Sequence, residues 1–167
     1  MLSTPFSPLS MLRAMVTAAG LAALAACAPT SGAGVSSDGV AVDPNQPVRV
    51  GLLVPQGSGD PGRENLARGL INAAQLAQAD LRNATLDVVT YPTGGTVEGG
   101  NAAASRAIND GAKILVGPLF STATAGAQSI ADQANIKMLS LSNNPEVAGG
   151  NTYIVGNTFL SSADRLV

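Results

Sequence analysis

From Val48 onward, short apolar runs alternate with alanine-rich stretches of helical period, and few folds accept that alternation. Val48–Val54 (VRVGLLV) is the first run, of the kind seen in a buried parallel strand. Leu86–Tyr91 (LDVVTY), Lys113–Val116 (KILV), Lys137–Leu141 and Thr152–Val155 repeat it. Between the first two runs, Leu66, Leu70, Ala73, Ala77 and Leu81 step by three or four, which marks one face of a helix. Asp60 and Pro61 supply its N-cap and a proline at the first helical position, where a missing N–H costs nothing. Ala103, Ala104, Ala107 and Ile108 mark a second helix, with Gly111 near its end. Ser121 or Thr122 can cap a third, which carries Ala127, Ile130, Ala131 and Ala134 on one side. The last two strands are joined by a Gly/Asn-rich loop too short for a full helix. Strands alternating with helices of this length require right-handed crossovers, giving an α/β fold whose mostly parallel five-stranded sheet is covered on both faces.

Composition narrows the function. Aromatic residues make up 3% of the chain and tryptophan is absent, so the core has to be built from Ala, Val, Leu and Ile. The formal net charge is −2 with no basic cluster, which argues against electrostatic capture of nucleic acid. There is no histidine, which removes the commonest general base, the usual catalytic triads and most zinc-ligand sets. Glu98, Asp110, Asp132 and Glu146 are scattered, and no pair has the spacing that would bring two carboxylates together on a helix. These features point away from an enzyme, and no cofactor or metal is expected.

The amino-terminal region sets the compartment. Ala14–Ala26 is uncharged, rich in Ala and Leu, and preceded by Arg13. It is shorter than the roughly 20 apolar residues of a membrane-spanning helix. A charged start, a short apolar stretch and small residues before a cut site describe a secretory signal over residues 1–27. Leu24-Ala25-Ala26-Cys27 resembles the bacterial lipobox, in which the cysteine is lipidated and becomes the mature N-terminus. Acyl chains contribute about 0.8 kcal/mol per buried methylene, enough for several chains to hold a protein to a membrane. The ten residues before Met11 carry no charge and two prolines, so translation could start at Met1 or Met11. Residues 28–47, rich in Gly, Ser, Ala, Pro and Thr, read as a flexible tether. With Cys27 acylated the chain has no disulfide and no cysteine nucleophile.

A parallel sheet binds ligands beyond the carboxyl ends of its strands, here Pro55–Asp60, Pro92–Glu98, Gly117–Thr122 and Ser142–Pro145. Gly57, Gly59 and Gly62 spell a G-x-G-x-x-G, the turn that lets a pyrophosphate approach a helix start. Pro55 and Gln56 delay the first glycine, Pro61 removes an N–H, and Asp87 lies early in its strand, so a flexible cleft-lining loop is the better reading. Gly117-Pro118-Leu119-Phe120-Ser121-Thr122 could hold a carboxylate on helix N–H groups and a hydroxyl, or could serve helix capping alone. Ser140, Ser142, Asn143 and Asn144 could add neutral donors and acceptors, while Asn144-Pro145 equally marks an ordinary turn. Phe120 is expected in the core or an interface, or as cover for an apolar ligand group.

VRVGLLVP, GGTVEGGNAAASRAINDGAKILVGPLFS and MLSLSNNPEVAGG, following a lipobox, resemble the first lobe of type I periplasmic binding proteins, the leucine-binding group above all. GGT-x-EG, the spaced alanines and GPLF further resemble bacterial lipoproteins of the penicillin-binding-protein activator group. The resemblance covers about Val48–Val167. It implies a three-layer, Rossmann-like lobe of a clamshell protein that closes over a small molecule or contacts a peptidoglycan synthase: an activator-like, non-enzymatic lipoprotein is the expectation, and the amino-acid-binding component of an ABC transporter is the alternative. In amino-acid-binding members, groups after the third and fourth strands hold the ligand's carboxylate and ammonium; Ser121, Thr122, Ser140 and Ser142 match those positions, with Gln56, Ser58 and Asn143 as further ligand contacts. The first loop, Gln56-Gly57-Ser58-Gly59-Asp60, departs from the family's usual form. The resemblance also implies two lobes of similar size, so the expectation for 48–167 is lobe one alone. It further implies a periplasm-facing envelope location with a lipid anchor. Ala28 in place of the aspartate that favours inner-membrane retention points to the outer membrane.

Overall fold

The computed structural model describes residues 42–43, 46–82, 84–158 and 163. The expected signal peptide, Cys27 and most of the tether lie outside them. The elements run β1 (Val48–Val54), α1 (Pro61–Asp80), β2 (Leu86–Pro92), α2 (Val97–Asn109), β3 (Ile114–Val116), α3 (Ser121–Gln133), β4 (Lys137–Ser140), a 3₁₀ turn (Pro145–Val147) and β5 (Thr152–Ile154). The sheet order is β2-β1-β3-β4-β5. All four pairings are parallel, with Val50 beside Val88 on one side and Ile114 on the other. All five predicted strands are present, with ends shifted by a residue at most.

Side chains alternate across β1 and so separate two apolar clusters. Leu53, with Leu115 and Met138, faces α2 and α3 and meets Ala103, Ala104, Ala107, Ala127 and Ala131. Leu52 and Val54 face the other way, toward Ala67, Leu70, Ile71 and Ala74 of α1. The alanine faces allow close approach. Gly100 lies against the backbone of Ala123, and Gly126 against that of Val97, so α2 and α3 touch backbone to backbone.

Each helix starts and stops for a local reason. Asp60 caps α1, its Oδ1 accepting from Arg63 N at 2.8 Å, with Pro61 next in the chain. Thr96 caps α2, accepting from Gly99 N at 3.0 Å. At the amino ends of the strands, Arg49 donates to Asp87 (2.7 Å) and to the carbonyl of Asp110 (2.7 Å), tying β1 to β2 and to the end of α2. Tyr91 donates from its hydroxyl to Asp110 Oδ2 at 2.8 Å. Between β4 and β5, Asn144 accepts from Glu146 N across the 3₁₀ turn, so Asn144-Pro145 marks a turn.

Two expectations need correction. The stripe Leu66–Leu70–Ala73–Ala77–Leu81 is not the buried face of α1; Leu66 is 49% and Leu81 44% exposed, while Ala67 is 1% exposed. Two stripes with helical spacing share Leu70, and close contact with the sheet selects the one that presents the smaller Ala67. The sheet is also unevenly covered. On the α1 side, Val116 and Leu139 are only half-buried and Tyr153 is 48% exposed among the described residues. An open apolar groove of about 340 Å³ lies there, lined by Val50, Leu52, Ala74, Gln78, Leu86 and Val88 among others. Among the described residues no helix is long and apolar enough to cross a membrane.

Candidate functional site

The carboxyl ends of β1, β2 and β3 bring three loops together. Thr93 N donates to Val54 O (2.8 Å) and Gly94 N to Gln56 O (3.0 Å), joining the loop after β1 to the loop after β2. Thr122 Oγ1 donates to Gly95 O at 2.9 Å, joining the second loop to α3. Gly117 N donates to Leu139 O (2.8 Å) and Leu141 N to Pro118 O (3.0 Å), holding the β3–α3 loop onto β4. The rim is thus fixed by backbone bonds and bridging hydroxyls before any ligand arrives.

The first loop is closed by its own helix. Glu64 Oε1 accepts from Gly57 N at 2.7 Å and Ser58 N at 3.0 Å, and Ser58 Oγ accepts from Asp60 N at 3.2 Å. A carboxylate occupies the donors that a G-x-G-x-x-G would offer to a phosphate. Asp87 pairs with Arg49 at the far end of the sheet, 2.7 Å away. Both features oppose a dinucleotide site on elementary electrostatics.

At α3 the sequence expectation of a Ser121 or Thr122 cap is corrected. Phe120 is the N-cap residue, and no side chain caps this helix. Ser121 and Thr122 are its first two residues, past the N-cap position from which a hydroxyl accepts from the N–H of N2 or N3. Thr122 is spent on Gly95, whereas the half-buried Ser121 has no side-chain partner among the described residues. The orphan N–H groups of a first helical turn, with one hydroxyl beside them, are an anion-binding arrangement.

Ser140 and Ser142 sit differently from their expected role. Ser140 is 0% exposed; its Oγ lies 3.0 Å from Thr124 Oγ1 and 3.2 Å from Pro118 O, and accepts from Ser142 N at 3.2 Å. Ser142 is 1% exposed and accepts from Asn144 N at 3.1 Å. Both hydroxyls are enclosed in the lobe and bonded to its own groups, so they shape the loops. Gln56 and Asn143 are exposed at the same edge.

Sequence reasoning missed Arg63. Its guanidinium carbon stands 4.8 Å from the centroid of Phe120, so the first turn of α1 and the loop after β3 meet through a cation and a ring. The signal was available, since Arg63 is a cation in a helix's first turn, where the backbone dipole disfavours positive charge. Phe120, given an apolar role, instead forms this pair on the rim. Among the described residues no group of three or more His, Cys, Asp or Glu could hold a metal ion.

A family model described as periplasmic binding protein matches residues 47–167. A leucine binding protein from Thermotoga maritima superposes with a TM-score of 0.54 at 21% identity, over 60% of this chain and 29% of its own. An ABC transporter substrate-binding protein from Desulfitobacterium hafniense gives 0.50 at 29% identity, over 65% and 33%. A solute binding protein of an ABC transporter from Rhodopseudomonas palustris BisB5, in complex with 3,4-dihydroxybenzoic acid, gives 0.52 at 20% identity, over 60% and 28%. This chain therefore spans about a third of the length of the solved structures it resembles. No curated protein matches it.

Proposed function

The chain belongs to the periplasmic binding protein family, and from that premise we propose that it is a non-enzymatic envelope protein whose carboxyl-edge cleft captures a small carboxylate. The observation that carries this reading is the start of α3, uncapped by any side chain, with Ser121 beside it and the surrounding loops already fixed. A ligand carboxylate there would take the place of the missing cap and gain charge-assisted bonds from N–H groups. Gln56 and Asn143 stand at the same edge for the rest of the ligand, and Ser140 and Ser142 support the loops from beneath. In keeping with the leucine-binding type, the ligand class is an amino acid or similar small acid. The lipobox at Cys27 supports a lipid anchor, and Ala28 the outer membrane, with the lobe facing the periplasm.

A second reading has an observation of its own. Glu64 occupies the amides of Gly57 and Ser58, so the first loop has fewer donors left for a solute, as in a relative that has turned from ligand capture to contact with a peptidoglycan synthase. Calorimetric titration of leucine and other small carboxylates into the full chain separates the two. Saturable binding that Ser121→Ala weakens about tenfold, the scale of a hydrogen bond to a charged group, supports capture. No binding, together with co-purification of a penicillin-binding protein from envelope extracts, supports the synthase partner.

A further inference from the structure

We infer that Arg63, held against Phe120, makes the cleft selective for ligands of net negative charge: a dicarboxylate or an acidic amino acid is preferred over a neutral zwitterion. This rests on the small-molecule reading above and names the class of molecule.

The guanidinium is placed by two neighbours. Phe120 lies under it at 4.8 Å. On another side is Gly95, where a methyl group would come within 2.8 Å of an Arg63 nitrogen and 3.4 Å of the Phe120 ring. The bare backbone at 95 leaves the room that the guanidinium occupies. Gly95 has φ of 74°, a conformation that other residues rarely adopt, so the turn and the space have the same cause.

The Arg63 guanidinium also forms no salt bridge among the described residues. The nearby carboxylates are committed elsewhere: Asp60 to the backbone N–H of Arg63 itself, Glu64 to Gly57 and Ser58. Among the described residues no carboxylate pairs with the guanidinium. A cation in the first turn of α1 opposes the helix dipole, so helix stability does not explain its position. A guanidinium stacked on a ring keeps its N–H edge free, and that edge matches a carboxylate in a bidentate pair. Through Gly95 and Thr122 this group shares a rim with the open start of α3. One acidic group fits the α3 amides and Ser121, and a second fits Arg63. Leucine has nothing for the second position.

The test titrates succinate, glutamate and leucine separately into the ¹⁵N-labelled full chain, following the Arg63 Nε–Hε signal and the amides of Ser121–Ala123. The inference expects both acids to shift the two sets together with one saturation curve, and to bind about tenfold tighter than leucine. Arg63→Gln removes that preference, and Arg63→Lys, which keeps charge but not the planar fork, restores only part of it. Thermal unfolding of each variant checks that the lobe is intact, and the ratio of acid to leucine affinity cancels any general weakening. Leucine binding with equal or better affinity than the acids, or an unchanged ratio in Arg63→Gln, overturns the inference and leaves the ligand-binding reading standing. No saturable shift from any of the three overturns both.

Discussion

Replacing Gly126 by alanine sets a methyl group against the carbonyl oxygen of Val97 on the facing helix, with Asn101 N only 3.1 Å away. No rotamer relieves that contact, because both sides are backbone; α2 and α3 have to separate. Overpacking of this kind costs about 1–3 kcal/mol, and a clash with backbone belongs at the upper end. Alanine returns about 1 kcal/mol of helix propensity. The net is a loss of about 2 kcal/mol, which for a lobe of this size lowers Tm by roughly 8 °C. Gly69 of α1 supplies the internal control. A methyl group there meets nothing within 4 Å, so Gly69→Ala gains propensity alone and raises Tm by roughly 4 °C. Thermal unfolding followed by far-ultraviolet circular dichroism reads both. A Gly126→Ala variant as stable as the parent would show that close helix contact does not hold α2 to α3, and a Gly69→Ala variant that is clearly weaker would remove the propensity term from the sum.

Three further outcomes follow from single contacts. Glu64→Ala frees the amides of Gly57 and Ser58, so hydrogen exchange at those two positions should quicken about tenfold while the strands keep their protection; unchanged exchange would mean that Glu64 does not hold the loop. Ser140→Ala removes the partner of Thr124 and Pro118 in a buried place and should cost about 1–2 kcal/mol in denaturant unfolding; a neutral result would mean that Thr124 and the loop carbonyl satisfy themselves. Tyr91 is pushed up to about 12, first by burial and then by its hydrogen bond to Asp110. A folded value above the unfolded one of 10 favours the protonated phenol, so its contribution is whole below pH 10 and is lost as pH rises from 10 to about 12. In a Tyr153→Phe background the phenolate absorbance should therefore appear near pH 12; a midpoint near 10 would remove Asp110 and burial as causes.

Some of this was legible in the chain and some was not. Val48–Val54 and the four later apolar runs announced a parallel sheet because burial on both faces leaves a local mark, an unbroken apolar string. The alanine periodicity at 103, 104 and 107 identified the packed face of α2 for the same reason. On α1 two overlapping stripes satisfied the same rule, and only contact with the sheet chose Ala67 over Leu66. At the rim the chain did not reveal which hydroxyls are enclosed and which stand open. A serine after a strand looks alike whether it faces solvent or, like Ser140, closes a buried network with Thr124 and Pro118. Periodicity and capping preferences are properties of neighbours in the chain, so sequence alone determined the strand–helix order and the parallel sheet. The stacking of Arg63 on Phe120, the sealing of the first loop by Glu64 and the uncapped start of α3 depend on where loops distant in sequence meet or on how the helix ends lie. Those were decided by the tertiary structure, because a side chain's partner is set by position in space and not by the residue beside it.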